Sequence, residues 1–319
     1  MSVERMNPPP VVLGTWAWGD TGEPGNGYFG SALTRTALGE LTAIAQTAGF
    51  TMWDTAVVYG MGRAEIVLGE LLKRYARSDY QLSTKFTPQV ADQSNNAVAE
   101  MLRQSLDRLH TDYVDLYWIH NPADVAKWTP HLIPLLESGL VRHVGVSNHS
   151  LSDIEQANQI LAKRGFRIEA IQNHYSLLYR DAEEAGLLEY CRNLGIPFFA
   201  YMVLEQGALS GRYGSENPMP EGTSRAKAYN TIIQKLEGLT LQLTSIGRSF
   251  GANAAEVAIA WALSKGVTPI IGVTRPEHVV SIKRARAMKL SSSDVAQLEA
   301  IAHATGVNTR GWWEKDLRT

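Results

Sequence analysis

The run VDLYWIH at residues 114–120 decides the fold class, because it is apolar along most of its length instead of at every second position. A strand with this pattern is buried on both faces, as strands are in parallel sheets that helices cover. Seven more apolar runs lie on either side of it. The eight predicted strands are VVLGT (11–15), FTMWD (50–54), YQLSTK (80–85), VDLYWIH (114–120), VRHVGVS (141–147), IEAIQ (168–172), PFFAY (197–201) and TPIIG (268–272).

Helical patterns separate the predicted strands. Residues 65–75 carry apolar side chains at spacings of three and four, which places those side chains on one face of a helix. Ser150 and Asp153 have the spacing of a capping box and predict a helix over residues 151–161. Pro276 predicts the first turn of a later helix, where its missing N–H costs nothing.

This alternation predicts a (β/α)8 TIM barrel of parallel strands, formed by residues 1–319 as a single domain. The alternative is a doubly wound open sheet, which usually carries a GxGxxG fingerprint after its first strand. The sequence that follows the first run is Trp16-Ala17-Trp18-Gly19, which lacks the fingerprint. Residues 206–230 are rich in Gly, Ser and Pro and predict a long functional loop on the barrel.

Composition narrows the class of protein further. Apolar residues make up 45% of the chain and charged residues 19%, and the net charge of −2 predicts no surface for nucleic acid. No apolar run is long enough to span a membrane, and the first ten residues lack the apolar core of a secretory signal, so a cytoplasmic protein is expected. The single cysteine, Cys191, excludes an internal disulfide and a cysteine-based zinc site, and its apolar surroundings predict inert packing.

Polar side chains end several predicted strands, and in a barrel these ends share the rim at which active sites lie. They are Asp54 with Tyr59 just beyond it, Lys85, His120, Ser147 with Asn148, and Gln172, and the seventh run adds the aromatic ring of Tyr201. An acid, a phenol, an ammonium and an imidazole are therefore expected to converge on one rim.

Four of these residue types together make a general acid. A phenol has an ordinary pKa of about 10, and the ammonium of Lys85 is expected to lower the pKa of Tyr59. Asp54 would keep Lys85 charged and in place, and His120 would orient a substrate carbonyl through a hydrogen bond. The set predicts that Tyr59 donates a proton to an oxygen that is gaining negative charge.

Nine segments resemble, in chain order, signature segments of the aldo-keto reductase superfamily. They are WDTAVVYG (53–60), AEIVLGELL (64–72), STKF (83–86), DYVDLYWIHNP (112–122), VGVSNHS (144–150), AIQNHYSLLYR (170–180), AYMVLEQGALSGRY (200–213), TPIIGVTRPEHV (268–279) and, as in bacterial members, TGVNTRGWWEK (305–315). The resemblance covers nearly the whole chain. It implies reversible, NAD(P)H-dependent reduction of an aldehyde, ketone or keto-sugar. It also implies that Tyr59 is the proton donor, Lys85 lowers its pKa, Asp54 pairs with Lys85, and His120 positions the carbonyl.

The resemblance further implies that a nicotinamide dinucleotide lies extended across the barrel mouth, under long covering loops. Ser147, Asn148 and Gln172 would hydrogen-bond the nicotinamide carboxamide, and Tyr201 would stack on the nicotinamide ring. The other implied cofactor contacts are Thr15, Trp16, Val203, Leu204, Gln206, Gly207, Leu209 and Gly211, and, for the adenosine 2′-phosphate end, Gly272, Thr274, Arg275 and His278. No metal site is predicted.

Three departures from the family pattern bear on the choice of cofactor. They are Met202-Val203 in place of a frequent Ser-Pro pair, Gly272 and His278 where Lys, Arg or Gln is common, and Ser281-Ile282 in place of a Glu-Asn pair that often grips adenine. The guanidinium of Arg275 is suited to clamp a 2′-phosphate, and a protonated His278 would add to that clamp. The sequence favours NADP(H) and leaves NAD(H) open.

Tryptophans are expected to line the substrate pocket. They are Trp16, Trp18, Trp118 and Trp312, with Trp313 as the alternative to Trp312 in the tail. Trp118 is equally compatible with a position in the packed interior of the barrel. Such a pocket suits sugars, ring ketones and aromatic aldehydes equally. Two other functions stay open on this sequence. One is a cofactor-binding module that senses redox state or docks to a partner, and the other is an aldolase-like barrel that uses Lys85 as a Schiff base.

Overall fold

Eight parallel strands close into a barrel. The computed structural model describes residues 5–19, 28–30 and 33–318. The strands are β1 (Val12–Gly14), β2 (Met52–Asp54), β3 (Gln81–Phe86), β4 (Val114–Ile119), β5 (Val141–Ser147), β6 (Ala170–His174), β7 (Phe198–Tyr201) and β8 (Thr268–Gly272). Each strand pairs with the next along the chain, and Leu13 of β1 pairs with Ile271 of β8 to complete the circle. The TIM barrel prediction is confirmed, and the open doubly wound sheet is excluded.

Every predicted run overlaps one of the observed strands, and six of the eight runs contain the whole strand. The largest difference concerns β6, which the sequence places at residues 168–172 and which in fact extends to His174. The strand continues because His174 still pairs with Tyr201 on β7. That extension brings His174 to the same rim as the predicted site residues.

Helices follow the strands and cover the barrel. The α-helices are α1 (Arg35–Thr47), α2 (Arg63–Leu72), α3 (Ala97–Leu109), α4 (Val125–Trp128), α5 (Ile133–Glu137), α6 (Leu151–Ala162), α7 (Asp181–Glu184), α8 (Leu187–Leu194), α9 (Ser224–Tyr229), α10 (Glu237–Ser249), α11 (Ala254–Ser264), α12 (Pro276–Ala287) and α13 (Ser292–Ala304). The 3-10 helices are Trp16–Gly19, Arg77–Asp79, Pro88–Val90, Thr129–Leu132, Glu205–Ser210 and Ile233–Leu236. The predicted capping box of Ser150 and Asp153 begins α6, and Pro276 is the first residue of α12.

A separate apolar cluster fills the inside of the barrel. Its members are Met6, Val12, Met52, Leu116, Trp118, Ala170 and Phe199. The ring of Trp118 packs edge-on against Phe199, with 5.1 Å between the ring centroids. Gly145 on β5 leaves the room for this ring, because a Cβ at that position would lie 2.4 Å from the Trp118 side chain. The barrel is therefore a packed core and not a pore.

The segment predicted as a long loop is partly helical. Residues 206–230 contain most of the 3-10 helix Glu205–Ser210 and the whole of α9. Cys191 is buried in α8, and burial raises the pKa of its thiol to about 12, so the prediction of an inert cysteine agrees with the structure. Within the described residues, a membrane-crossing helix of sufficient length and apolar character is not found.

Candidate active site

The four predicted catalytic side chains meet at the rim where the strands end. Asp54 ends β2, Lys85 lies in β3, His120 follows β4, and Tyr59 lies in the turn after β2. The Lys85 ammonium donates to Asp54 Oδ2 at 2.5 Å and to the Tyr59 hydroxyl at 3.3 Å. The rings of Tyr59 and His120 are 6.2 Å apart, edge to face. The four side chains, which are separated in the sequence, therefore form one cluster at the rim.

The position of Tyr59 is fixed by a close backbone contact. Its neighbour Gly60 has a φ of +65°. A Cβ at Gly60 would lie 2.2 Å from the carbonyl oxygen of Gly19, which ends the 3-10 helix after β1. Only glycine fits such an approach. The two turns are thus pressed together, and Tyr59 is held above Lys85.

Lys85 is fully buried, and its charge depends on Asp54. Burial by itself would lower the pKa of Lys85, but the carboxylate of Asp54 and the hydroxyl of Tyr59 together more than offset this, so the pKa is raised. The ammonium also donates to the carbonyl oxygen of Thr55 at 2.8 Å. Asp54 in turn accepts a hydrogen bond from the Ser83 hydroxyl at 2.6 Å. The Lys85 ammonium therefore keeps its charge, and both members of the pair are hydrogen-bonded.

The pKa of Tyr59 differs from the sequence expectation. Burial raises this pKa, and the nearby ammonium of Lys85 lowers it by less, so the net direction is upward and not downward. Lys85 acts on the pKa of Tyr59 in the expected direction, but the effect of burial is larger, and the sequence does not show how far the phenol is enclosed. Tyr59 consequently carries its proton at neutral pH, which is the form that a proton donor needs.

His120 is neutral at this site. Burial and the charge of Lys85 both lower its pKa well below the ordinary value. Its Nδ1 lies 2.9 Å from the Thr87 hydroxyl, which follows β3. A neutral imidazole beside a protonated phenol provides hydrogen-bonding groups for a carbonyl oxygen without adding a second charge.

A cavity of about 1270 Å³ opens above this cluster. Most of the predicted site residues line it, namely Thr15, Trp16, Asp54, Tyr59, His120, Asn148, Gln172, Tyr201, Val203, Leu204, Gln206, Gly207, Gly211, Gly272, Thr274, Arg275, His278, Trp312 and Trp313. Three predicted residues are buried behind the wall instead, namely Lys85, Ser147 and Leu209. Lys85 reaches the cavity through Tyr59, and Ser147 accepts a hydrogen bond from Asn148 at 3.3 Å.

Two predicted pocket tryptophans do not line the cavity, and that part of the prediction is wrong. Trp118 belongs to the interior cluster, since its strand position points it into the barrel. Trp18 packs against Trp53 at 5.6 Å and donates its Nε1–H to the carbonyl oxygen of Val273 at 2.7 Å. This bond ties the turn after β1 to the chain after β8, so Trp18 has a structural contact.

The inner end of the cavity has an unpaired polar group. Gln172 is buried and lines the cavity, yet its Nε2 has no hydrogen-bond partner. Such a group is costly unless a ligand satisfies it. The amide nitrogen of Asn148, in contrast, already donates to the carbonyl oxygen of His120 at 3.0 Å and to Asn121 Oδ1 at 2.9 Å. A carboxamide at this end would find its free donor on Gln172.

Two arginines on the covering segment were not predicted as site residues. Arg212 and Arg225 both line the cavity, and the Nε of Arg225 is buried without a partner. Arg225 contacts the carbonyl oxygen of Gln206 at 3.4 Å, and the Gln206 Oε1 is also unpaired. The sequence signal was weak, because Arg225 lies in the segment predicted as irregular and not at a strand end.

The outer end of the cavity is cationic. Arg275 and His278 lie 3.3 Å apart, and His278 Nδ1 accepts from the backbone N–H of Thr274 at 3.2 Å. Burial, with Arg275 adding to it, lowers the pKa of His278 to about 4. His278 is therefore neutral at neutral pH and adds no charge to the proposed clamp, so the positive charge among these residues comes from Arg275, beside Glu277.

Comparison with known proteins identifies the class of enzyme. The sequence profile of the Aldo/keto reductase family matches residues 10–303. A chloroplastic pyridoxal reductase of Arabidopsis thaliana is 31% identical over 310 residues, which span 92% of this chain and 83% of that protein. The chain belongs to the aldo/keto reductase family.

Solved structures agree with this assignment. A thermostable aldo-keto reductase in complex with the inhibitor epalrestat is 28% identical, with a TM-score of 0.73 and coverage of 92% of this chain and 95% of that one. An aldo-keto reductase from Klebsiella pneumoniae in complex with NADPH is 26% identical, with a TM-score of 0.72 and coverage of 92% and 91%.

Proposed function

We propose that this protein is an NADP(H)-dependent oxidoreductase that reduces a small aldehyde or ketone to the alcohol, reversibly, with Tyr59 as the general acid. The observation that carries the proposal is the buried Lys85–Asp54 pair beneath a protonated Tyr59, beside a neutral His120, at the wall of one large cavity. A charged pair buried at a cavity wall is costly to maintain for stability alone, and perturbed pKa values of this kind cluster at functional sites.

The cavity suits a nicotinamide dinucleotide along its length. Gln172 offers an unpaired amide donor for the carboxamide, and Tyr201 offers an aromatic ring for the nicotinamide. Arg225 offers a buried, unpaired Nε on the covering segment, which is suited to a diphosphate oxygen. Arg275 then lies at the outer end for a 2′-phosphate. The four groups are a donor, a ring and two cations, and they line one cavity and follow one another in this order along the chain.

The chain's own residues supply the acid half of the reaction. The bound cofactor would supply the hydride. Tyr59 would donate its proton to the carbonyl oxygen as negative charge develops there, and the Lys85 ammonium would stabilise the resulting phenolate. His120 would orient the same oxygen by a hydrogen bond. The charged state of Lys85 also argues against the Schiff-base alternative, because an ammonium has no lone pair to attack a carbonyl.

The substrate end of the cavity is aromatic. Trp16 lies 6.0 Å from Tyr59, nearly parallel to it, and packs against Tyr28, Phe29 and Trp313. The charged side chains of the described cavity lining are Asp54 beside Lys85 and, on the segments assigned to the cofactor, Arg212, Arg225, Arg275 and Glu277. We therefore propose an uncharged, flat carbonyl substrate. The Arabidopsis relative is named for the reduction of pyridoxal, which is an aromatic aldehyde.

A substrate panel tests this proposal. With NADPH in excess, we expect para-nitrobenzaldehyde to be reduced with about tenfold higher kcat/KM than para-carboxybenzaldehyde, because the aromatic wall leaves a carboxylate unpaired. Glyceraldehyde serves as the small, non-aromatic comparison. Equal kcat/KM for the two benzaldehydes would contradict the uncharged substrate class, and reduction of none of the panel would count against the oxidoreductase proposal.

Replacing Arg275 by alanine is expected to weaken NADPH binding about tenfold and NADH binding by less than about twofold, because only NADPH carries the 2′-phosphate. Quenching of tryptophan fluorescence during titration measures both dissociation constants. Arg286→Ala, on the exposed face of α12, is the matched control and should change neither. Equal losses for the two cofactors would remove Arg275 from its proposed role.

A further inference from the structure

Two buried carboxylates flank His174 behind the nicotinamide end of the site. Glu205 follows β7, and Glu314 belongs to the tail after α13. His174 Nε2 lies 2.9 Å from Glu205 Oε1, and His174 Nδ1 lies 3.0 Å from Glu314 Oε1. All three side chains are at most 4% exposed. The proposed reaction does not use this triad directly.

The triad is charged and its carboxylates are well supplied with hydrogen bonds. Burial by itself would lower the pKa of His174, but the two carboxylates raise it to about 9, so the imidazole is a cation at neutral pH. Glu205 also accepts from Tyr229 at 2.6 Å, from Thr309 at 2.9 Å and from Ser176. Glu205 itself has a φ of +48°, which is a strained conformation for this residue. The surroundings must therefore hold it in place.

Glu314 connects this triad to the ring proposed to carry the nicotinamide. The Tyr201 hydroxyl lies 2.7 Å from Glu314 Oε1 and 2.6 Å from Asn148 Oδ1, so two acceptors share its single hydrogen. The His174 ring packs on the Tyr201 ring at 5.5 Å, with 29° between the planes. Since Tyr201 also lines the cavity, its ring lies between the triad and the space for the nicotinamide.

The same tyrosine hydroxyl holds the tail against the substrate end. Trp313 donates its Nε1–H to the Tyr201 hydroxyl at 3.3 Å, and its ring lies edge-on to Trp16 at 6.3 Å. Glu314 Oε2 accepts from the backbone N–H of Gly311 at 2.9 Å, which folds the tail back on itself. Glu314 therefore contacts both the hydroxyl of the Tyr201 ring and the backbone of the tail segment that carries Trp313, and Asn148 is the second acceptor at that hydroxyl.

We propose that Glu314 is a positioning residue for this enzyme, which fixes the Tyr201 ring and the Trp313 wall as one unit so that the bound carbonyl is aligned with the hydride donor. This inference rests on the proposed function for its kinetic consequence. Its structural part is independent of the proposed function, because the tail contacts join residues of the protein itself. The tail has other anchors, namely the Thr309–Glu205 hydrogen bond at 2.9 Å on one side and the Lys315–Asp153 and Arg318–Asp181 pairs, both at 3.0 Å, on the other. Loss of Glu314 would therefore loosen residues 310–314 without releasing the chain end.

The kinetic test uses Glu314→Gln and Tyr201→Phe, alone and together. We expect Glu314→Gln to lower kcat/KM for para-nitrobenzaldehyde about tenfold or more, since breaking a buried charged hydrogen bond leaves its partners unpaired. In the Tyr201→Phe background the same substitution should have an effect of less than about twofold, because it acts through the hydroxyl that is missing there. Asp316→Asn is the matched control, since its pair with Arg310 is half exposed and spans 3.8 Å.

Additive effects of the two substitutions, or wild-type kcat/KM in Glu314→Gln, would overturn the inference. Glu314→Asp is the second variant, because it keeps the charge beside His174 but withdraws the carboxylate from Tyr201. Wild-type efficiency in Glu314→Asp would also overturn it. A readout without substrate separates this inference from the proposed function. In ligand-free Glu314→Gln, trypsin should cleave after Arg310 about tenfold faster than in the wild type, and an unchanged cleavage rate would contradict the tail contact even if no carbonyl is ever reduced.

Discussion

Replacing Tyr59 by phenylalanine is expected to lower kcat/KM for carbonyl reduction about a thousandfold, which is within the range for loss of a general acid. The substitution removes one hydroxyl, which accepts a hydrogen bond from Lys85 at 3.3 Å, and keeps the ring that packs beside Trp16. NADPH affinity should stay within about twofold of wild type, because the lost interaction forms only as the oxygen gains charge. Fluorescence titration and steady-state kinetics on the same preparation measure the two quantities.

Tyr190→Phe on α8 is the matched control for that variant. Its hydroxyl accepts a weak hydrogen bond from Asn158 at 3.4 Å and lies outside the cavity lining, so activity should not change. Wild-type turnover in Tyr59→Phe would remove the phenol from the mechanism. Loss of NADPH binding in Tyr59→Phe would instead indicate a structural role for the hydroxyl.

Replacing Lys85 by methionine is expected to abolish activity and to lower the free energy of unfolding by about 3 to 5 kcal/mol, because Asp54 is left as an uncompensated buried charge. The double variant Asp54→Asn with Lys85→Met removes both charges and keeps an acceptor for the Ser83 hydroxyl. It should recover most of the lost stability and none of the activity. Denaturant unfolding and kinetics together separate the structural cost of the pair from its chemical use.

The matched control is Lys235→Met, at an exposed position of the 3-10 helix Ile233–Leu236, which should change neither stability nor turnover. If the double variant is as unstable as Lys85→Met alone, the pair is required for folding and the free energies cannot be assigned to an unpaired charge. If the double variant retains turnover, Lys85 does not stabilise the phenolate of Tyr59.

The barrel and the rim were readable from the sequence because both follow from local patterns. Each apolar run overlaps a strand, and parallel strands in a closed barrel must bring Asp54, Lys85 and His120 to one rim. The positions at which strands end were not predicted from local patterns alone. Strand β6 extends to His174 because it pairs there with β7, and local propensity does not show this. That residues 1–319 form one domain stays a prediction.

The burial depth of side chains, and the contacts between residues far apart in the chain, could not be predicted from the sequence. Trp118 follows Tyr117 in an apolar strand, and only the packing with Phe199 and Gly145 shows that it lies inside the barrel. The net pKa of Tyr59 depends on how deeply the turn is buried, which no spacing reveals. Glu314 is 140 residues from His174 along the chain, so their contact needed the folded tail.

The central claim is that this chain passes a hydride from NADPH to a carbonyl. Its most direct test uses NADPH that carries deuterium at both C4 positions of the nicotinamide. The wild-type protein is incubated with this NADPH and para-nitrobenzaldehyde, and the mass of the alcohol product is measured by mass spectrometry. The account predicts an alcohol that carries one deuterium on its carbinol carbon, formed about a thousandfold faster by the wild type than by Tyr59→Phe. An alcohol without deuterium, or equal rates of labelling by the two proteins, would contradict it.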